Sequence, residues 1–187
     1  MFVLPNKKAV LVDVPYYSPE LAAEVRRQAP GGLSHLLLTH DDFVGMSSHG
    51  QWKRDFPELV RVAHSDDCRG QGLEAELSGR GPWELGVGLQ AYHLPGHSAG
   101  SLFFASPELS ALFTGDSLGF WSAPTGFPAF CRFGRARQAA SLRGFARDGP
   151  FLQAVLPSHG DPMYFDNDHQ RQEAFNQAAS ELEGHRR

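Results

Sequence analysis

The chain has 187 residues, 41% hydrophobic and 20% charged, an ordinary globular composition with length for one domain and a sizeable core. A formal charge of −4 gives no basic footprint for nucleic acid; no apolar run approaches the roughly 18 residues that span a bilayer; and the start lacks the basic residues and cleavage site of a signal peptide. Two cysteines, Cys68 and Cys131, lie too far apart for a metal knuckle and are too few for a disulfide framework.

These readings predict a single domain over 1–187. It is expected to be soluble and in a reducing compartment, either the cytoplasm or, if a transit peptide has been removed, a plastid. Phe2 to Leu4 and Ala9 to Val12 read as a hairpin that closes on Asp13. Ser18-Pro19-Glu20 is a helix start, with Ser as cap, Pro in the first turn and an acid near the positive end of the dipole; the helix runs to Gly31-Gly32. Leu33 to Leu38 is a short strand that delivers Thr39 and His40, Gln51 to Phe56 a helix stopped by Pro57, and Leu59 to Ala63 the next strand. Gly86 and Gly88 interrupt Trp83 to Leu94, which reads as two strands or one bulged strand ending at Pro95-Gly96-His97. Leu102 to Ala105 and Ala111 to Phe113 are strands around a turn, and Leu118 to Phe133 is a long aromatic loop. Arg135 to Arg147 is a helix, Leu152 to Leu156 a strand before Ser158-His159, and Asp168 to Glu183 a polar terminal helix. The alternation predicts a layered α/β domain.

Four polar segments stand close to apolar runs: Thr39-His40-Asp41-Asp42, Pro95-Gly96-His97-Ser98, Thr114-Gly115-Asp116-Ser117 and Pro157-Ser158-His159-Gly160. A buried strand that ends in His or Asp beside Gly or Ser delivers a ligand at a sheet edge, where the backbone can turn. Imidazole and carboxylate donors without thiolate suit zinc, iron or manganese in a working site better than a structural clamp.

With their flanks these segments resemble the metallo-β-lactamase superfamily of metallo-hydrolases: Thr39-His40, Gly96-His97-Ser98-Ala99-Gly100-Ser101, Phe113-Thr114-Gly115-Asp116-Ser117 and Ser158-His159-Gly160, in that order from Val10 to His159. The resemblance implies a four-layer αββα sandwich with the site at one edge of the sheets. It assigns His40 and His97 to a first metal, Asp116 as a bridge, and His159 to a second metal. It implies hydrolysis of an ester, thioester, amide or phosphoester by metal-bound hydroxide; a small-molecule substrate is expected, and the acidic balance and lack of a long apolar run lead to the expectation of no nucleic-acid or membrane partner. Only Phe2 to Leu4 precedes the strand that ends at Asp13, where the family usually has another strand, so the first sheet is expected to be short or the chain cut at its start.

One departure matters. The family's first motif runs His-x-His-x-Asp-His, whereas Asp42 stands here in place of the second His, and His49 follows Ser48 rather than Asp. Thr39 to Asp42 and Trp52 resemble a plant and cyanobacterial branch that reads Thr-His-x-Asp-Asp. Ligand arithmetic then gives His40, His97, Asp116 and Asp42 for one divalent ion, zinc or iron, with an open position. His159, Asp116 and His49 make a poor second set, so one ion is expected and two is the alternative. Asp42, if not a ligand, is placed to act as general base. The alternative function is a degenerate member of this fold that binds metal weakly or not at all and serves as a binding or regulatory module.

Other roles stay open beside these. Asp116 can form a turn with its own backbone, Asp41 and Asp42 can cap a following turn, and His49 reads as a helix-start residue on a polar surface. His35, His64 and His93 read as packing or hydrogen-bonding residues, Asp13 as a structural cap near the site, and Cys131 as an inert thiol. Phe120, Trp121, Phe127, Phe130 and Phe133 either floor a substrate cleft or close the core.

Overall fold

The structure is a computed structural model that describes residues 1–14, 16–45, 48–119 and 131–184. The chain divides into two compact units, Met1–Ser78 and Gly79–Arg187.

The first unit holds a five-stranded sheet of β1 (Phe2–Val3), β2 (Ala9–Val12), β3 (Leu33–Leu37), β4 (Val60–His64) and β5 (Ala75–Leu77), in that spatial order. Its helices are α1 (Pro19–Gln28), α2 (Asp41–Gly45), α3 (Ser48–Asp55) and α4 (Ser65–Cys68). The expected hairpin forms, with Phe2 opposite Val10. From β2 to β5 every pairing is parallel, so these strands all finish at one edge. Helix α1 starts as its sequence predicts: Leu21 N donates to the Ser18 hydroxyl at 3.2 Å, which satisfies one of the helix's unpaired first-turn N–H groups. Ala22 and Val25 of that helix meet Leu36, Leu38, Trp52 and Phe56 in the unit's core.

The second unit holds a six-stranded sheet in the spatial order β11-β10-β9-β8-β7-β6, where β6 is Trp83–Glu84, β7 Gln90–His93, β8 Leu102–Ser106, β9 Ala111–Gly115, β10 Ala154–Pro157 and β11 Met163–Tyr164. Gly86 and Gly88 both adopt positive φ between β6 and β7, which resolves the sequence ambiguity in favour of two strands. Helices α5 (Arg135–Asp148) and α6 (Asp168–Gly184) cover the sheet through Leu142, Phe145, Phe175 and Leu182, packed with Phe103 and Leu112. Arg171 of α6 is buried and donates to the carbonyls of Phe145 and Ala146 at 3.3 and 2.8 Å. It thereby adds a donor at the last turn of α5, where helical carbonyls run out of intrahelical partners; the Phe145 carbonyl also accepts the Gly149 N–H at 2.8 Å. No described helix is long and apolar enough to cross a membrane.

Helices α2 and α4 and strands β5 and β11 were not expected from the sequence. Asp41 and Asp42, read as residues that can cap a following turn, lie inside the first turn of α2. The aromatic cluster Phe120, Trp121, Phe127 and Phe130 lies outside the described residues, and Phe133 is exposed.

Candidate metal centre

In the first unit the edge where β2 and β3 finish carries Asp13, Thr39, His40 and Asp42. Asp13 turns the chain after β2 at φ 50°, a left-handed conformation that a short polar side chain tolerates. One carboxylate oxygen accepts the Thr39 N–H at 2.8 Å and the other accepts the Thr39 hydroxyl at 2.6 Å. The Thr39 hydroxyl has then given its only proton away, so its 2.8 Å contact with His40 Nδ1 is one in which the ring N–H donates. The tautomer follows: Nε2 of His40 carries the lone pair, and it faces Asp42 Oδ2 at 3.6 Å. A carboxylate that fixes an imidazole through an intermediate donor is a common support for a metal ligand. His40 is 2% exposed while the Asp42 side chain is 45% exposed, so a buried imidazole is set beside a carboxylate open to solvent.

The second unit gathers three predicted residues by topology. Strands β7 and β9 run together because each is antiparallel to β8, and β10 is parallel to β9. The turns after their C-terminal ends bear His97, Asp116 and His159 on one edge. The His97 turn is tightly built: Ser98 N donates to the Ser101 hydroxyl at 2.8 Å, and the two hydroxyls meet at 2.7 Å. Gly115 turns after β9 at φ 55°, and its carbonyl accepts Ser158 N at 3.1 Å. The turns bearing Asp116 and His159 are therefore stitched together. Ligand atoms of His97 and Asp116 lie within 4.8 Å of one another, and Asp116 Oδ1 lies 3.5 Å from His159 Nε2. His97 is buried and the Asp116 side chain is 14% exposed, whereas His159 is half exposed.

His49 has a different setting from the polar surface expected of it. It is buried, and both ring nitrogens are engaged inside the first unit: Nε2 with the Val44 carbonyl at 3.1 Å and Nδ1 with Arg61 Nη1 at 3.0 Å. An arginine only donates, so Nδ1 accepts and Nε2–H donates. Burial, and then the Arg61 charge, push its pKa below the usual histidine value. This neutral ring is occupied in holding the fold and has no lone pair to spare for a metal. His35 bonds Ser34, His64 caps α4 by accepting Asp66 N, and His93 donates to the Ala99 carbonyl, which agrees with their reading as hydrogen-bonding residues. Both cysteines are free; Cys68 is buried with its thiol pushed up to about 11 by burial and nearby acids, and Cys131 donates to the Gly96 carbonyl.

Sequence reasoning missed Gln138. Its side-chain amide donates to the Ser117 carbonyl at 2.7 Å, next to Asp116. Nothing in its helical context distinguished it from an ordinary amphipathic position. A cleft of about 720 Å³ in the second unit is lined by Arg80, Tyr92, Pro95, Arg137 and Phe145, among others. None of the predicted ligands lines it, so its volume alone does not mark a reaction site.

The donors present fit a divalent ion. Two buried imidazoles and carboxylates of graded exposure are the borderline-to-hard set that zinc, iron or manganese accepts.

No family model matches the chain. Over 122 residues it is 31% identical to an atrochrysone carboxyl ACP thioesterase of Aspergillus fumigatus, a match that takes in 60% of this chain and 27% of that relative. The chain thus aligns with about a quarter of the relative's length. Among solved structures it is similar to a metallo-β-lactamase from Pontibacter korlensis, at 18% identity and a TM-score of 0.69 over 96% of this chain and 84% of that one. It is also similar to the metallo-β-lactamase FIM-1 from Pseudomonas aeruginosa in its mono-zinc form, at 19% identity and a TM-score of 0.65 over 94% and 80%. Two multi-stranded sheets with their helices, and the likenesses to solved structures over nearly the whole chain, agree: the chain has the metallo-β-lactamase fold.

Proposed function

We propose that the chain is a metal-dependent hydrolase that holds one zinc ion through His40, His97 and Asp116, leaving a position open to water, with Asp42 beside it as general base, and that it acts on acyl thioesters. The observation that carries this reading is that the strand ends of each unit present an imidazole beside a carboxylate: His40 with Asp42 at 3.6 Å in the first, and His97 with Asp116 within 4.8 Å in the second. The order of the four motifs supports joining the two sets round one ion. The engagement of His49 supports one ion rather than two, because it leaves Asp116 and His159 alone for a second. The thioester is supported by the activity for which the Aspergillus fumigatus relative is named.

When bound, the ion supplies a Lewis acid that polarises a carbonyl oxygen and makes water more acidic. The protein's part is positional. Asp13 and Thr39 hold His40 in the tautomer that offers Nε2, and Asp42, open to solvent, is placed to accept a proton from the attacking water. His159 steadies Asp116 across 3.5 Å.

The test is metal content and turnover together. Protein loaded with zinc and desalted should retain about one ion per chain. It should hydrolyse an acyl N-acetylcysteamine thioester, lose that activity to a chelator and recover it with zinc. A cephalosporin and bis(p-nitrophenyl) phosphate serve as competing substrate classes, and faster turnover of either would overturn the thioester assignment. Zinc retained without turnover of any of the three would favour a binding or regulatory module, and no retained zinc would remove the site.

Thr39→Val tests the support of His40 separately. Losing the hydroxyl removes its contacts with His40 Nδ1 and with Asp13 Oδ2, and zinc affinity should fall by about 10- to 100-fold, as for other losses behind a ligand. Competition with a chromophoric chelator measures it. Wild-type affinity in the variant would mean that the Asp13-Thr39 relay serves only the fold.

A further inference from the structure

We infer that Gln138 is a positioning residue that sets the spacing of His97 and Asp116, an inference that rests on the proposed metal role of those two residues. Helix α5 stands against both ligand turns, and Gln138 touches each of them. On one side its amide donates to the Ser117 carbonyl at 2.7 Å, fixing the residue that follows Asp116. On the other, its stem presses on Gly96, the residue before His97: a Cβ placed on Gly96 would fall 2.1 Å from Gln138 Cβ and 2.5 Å from its Cα. No side chain fits there, which is a physical reason for glycine at that point of the motif.

The surroundings make this contact stiff. The Gly96 carbonyl accepts the N–H groups of Phe133 and Gly134 at 2.9 and 3.1 Å, and the Ser141 hydroxyl, one turn along α5 from Gln138, donates to the Pro95 carbonyl at 2.9 Å. The backbone before His97 is thus fastened to the start of α5 on three sides. Gln138 is 1% exposed, so its amide is not exchanged for water at little cost. One buried side chain therefore references two ligands from different strands to the same helix, and the separation of His97 and Asp116 is fixed before any ion arrives. A ligand pair held at its working distance binds more tightly than one that must be gathered, because the ordering cost is already met.

Two variants test this. Gln138→Met keeps the unbranched stem against Gly96 and removes the amide; Gln138→Glu keeps the shape and replaces the donor with a carboxylate facing the Ser117 carbonyl. In the metal-free protein, amide hydrogen exchange over residues 115–118 should rise by about tenfold or more in both variants, with a smaller rise over 96–98, while strand β8 and residues 111–114 keep wild-type protection. Zinc affinity, read by chelator competition, should fall by about 10- to 100-fold. Phe175→Leu, deep in the same unit's core, is the control: it should lower the thermal midpoint and leave zinc affinity unchanged. Unchanged exchange at 115–118 would overturn the inference, as would loosened turns with wild-type zinc affinity, or an equal loss of affinity in the Phe175→Leu control. Should the wild-type protein take up no zinc, the proposed function fails, and the exchange measurement still decides whether Gln138 orders the two turns.

Discussion

His97→Ala is expected to lower thioester turnover by about three orders of magnitude, roughly 4 kcal/mol of transition-state stabilisation, with zinc content falling below a tenth of the wild-type value. His97 is buried on the turn after β7, with Asp116 ligand atoms within 4.8 Å, and replacing the imidazole by a methyl group removes one of the proposed ligands. His40→Ala in the first unit should match it. The informative measurement is the double variant. If both histidines serve one ion, the first loss already removes the metal, and the second should add little, since residues that act as a unit are grossly non-additive. Losses that multiply, so that the double variant falls about a millionfold, would show two independent contributions and would sink the shared-ion reading. Far-ultraviolet circular dichroism and the thermal midpoint of each variant separate loss of metal from loss of fold.

The largest effect on stability is expected at Arg61. Its guanidinium donates to both oxygens of Glu74, each at 2.9 Å, to the Gly72 carbonyl at 2.8 Å and to His49 Nδ1 at 3.0 Å. The Arg61 side chain is 9% exposed and that of Glu74 28%. Arg61→Met should cost about 3 kcal/mol, the lower end of what breaking a buried ion pair costs, because Glu74 keeps some solvent and a second cation, Lys53, at 3.3 Å. Equilibrium urea unfolding measures the change, and a loss under about 1 kcal/mol would show that water replaces the network freely. The pH dependence has a definite sign. Burial pushes Glu74 up, but its hydrogen bonds from Arg61 outweigh this and hold the carboxyl at about 2, below its ordinary value of 4.5. A carboxyl depressed by folding contributes its full stability above the unfolded pKa and loses it as the pH falls toward the folded one. Wild-type protein should therefore shed this contribution between about pH 4.5 and pH 2, and Arg61→Met should show a shallower loss over the same window.

Much of the proposed ligand set was legible because each candidate stands a few residues or fewer beyond the strand that carries it. Leu36 to Leu38, and Ala111 and Leu112, are buried, so their hydrophobic runs announce strands, and a polar residue just beyond such a run has reached a sheet edge. The interactions that support the ligands were harder to see. The His49-Arg61-Glu74 network joins a helix, a strand and a loop, and no local periodicity links them; His49 looked like a surface residue because its neighbours in sequence are polar. Gln138 lies in a helix whose apolar pattern is explained by the core, and its partner Ser117 is distant in sequence. Strands β5 and β11 span three and two residues, too short for alternation to show, and they exist because a neighbouring strand offers open backbone groups. Asp13 was read as a cap. Its two bonds to Thr39 show that it also chooses the tautomer of His40.

Helix α5 is gripped at both ends, by the Gly96 carbonyl at its start and by Arg171 at its finish. At about 1.5 Å per residue its 14 residues make a rod roughly 21 Å long. A rod clamped at both ends transmits displacement. Changes in α6 around Arg171, far from any ligand, therefore have a mechanical route to the His97 turn, and the tuning of such a protein need not be confined to the residues that surround its chemistry.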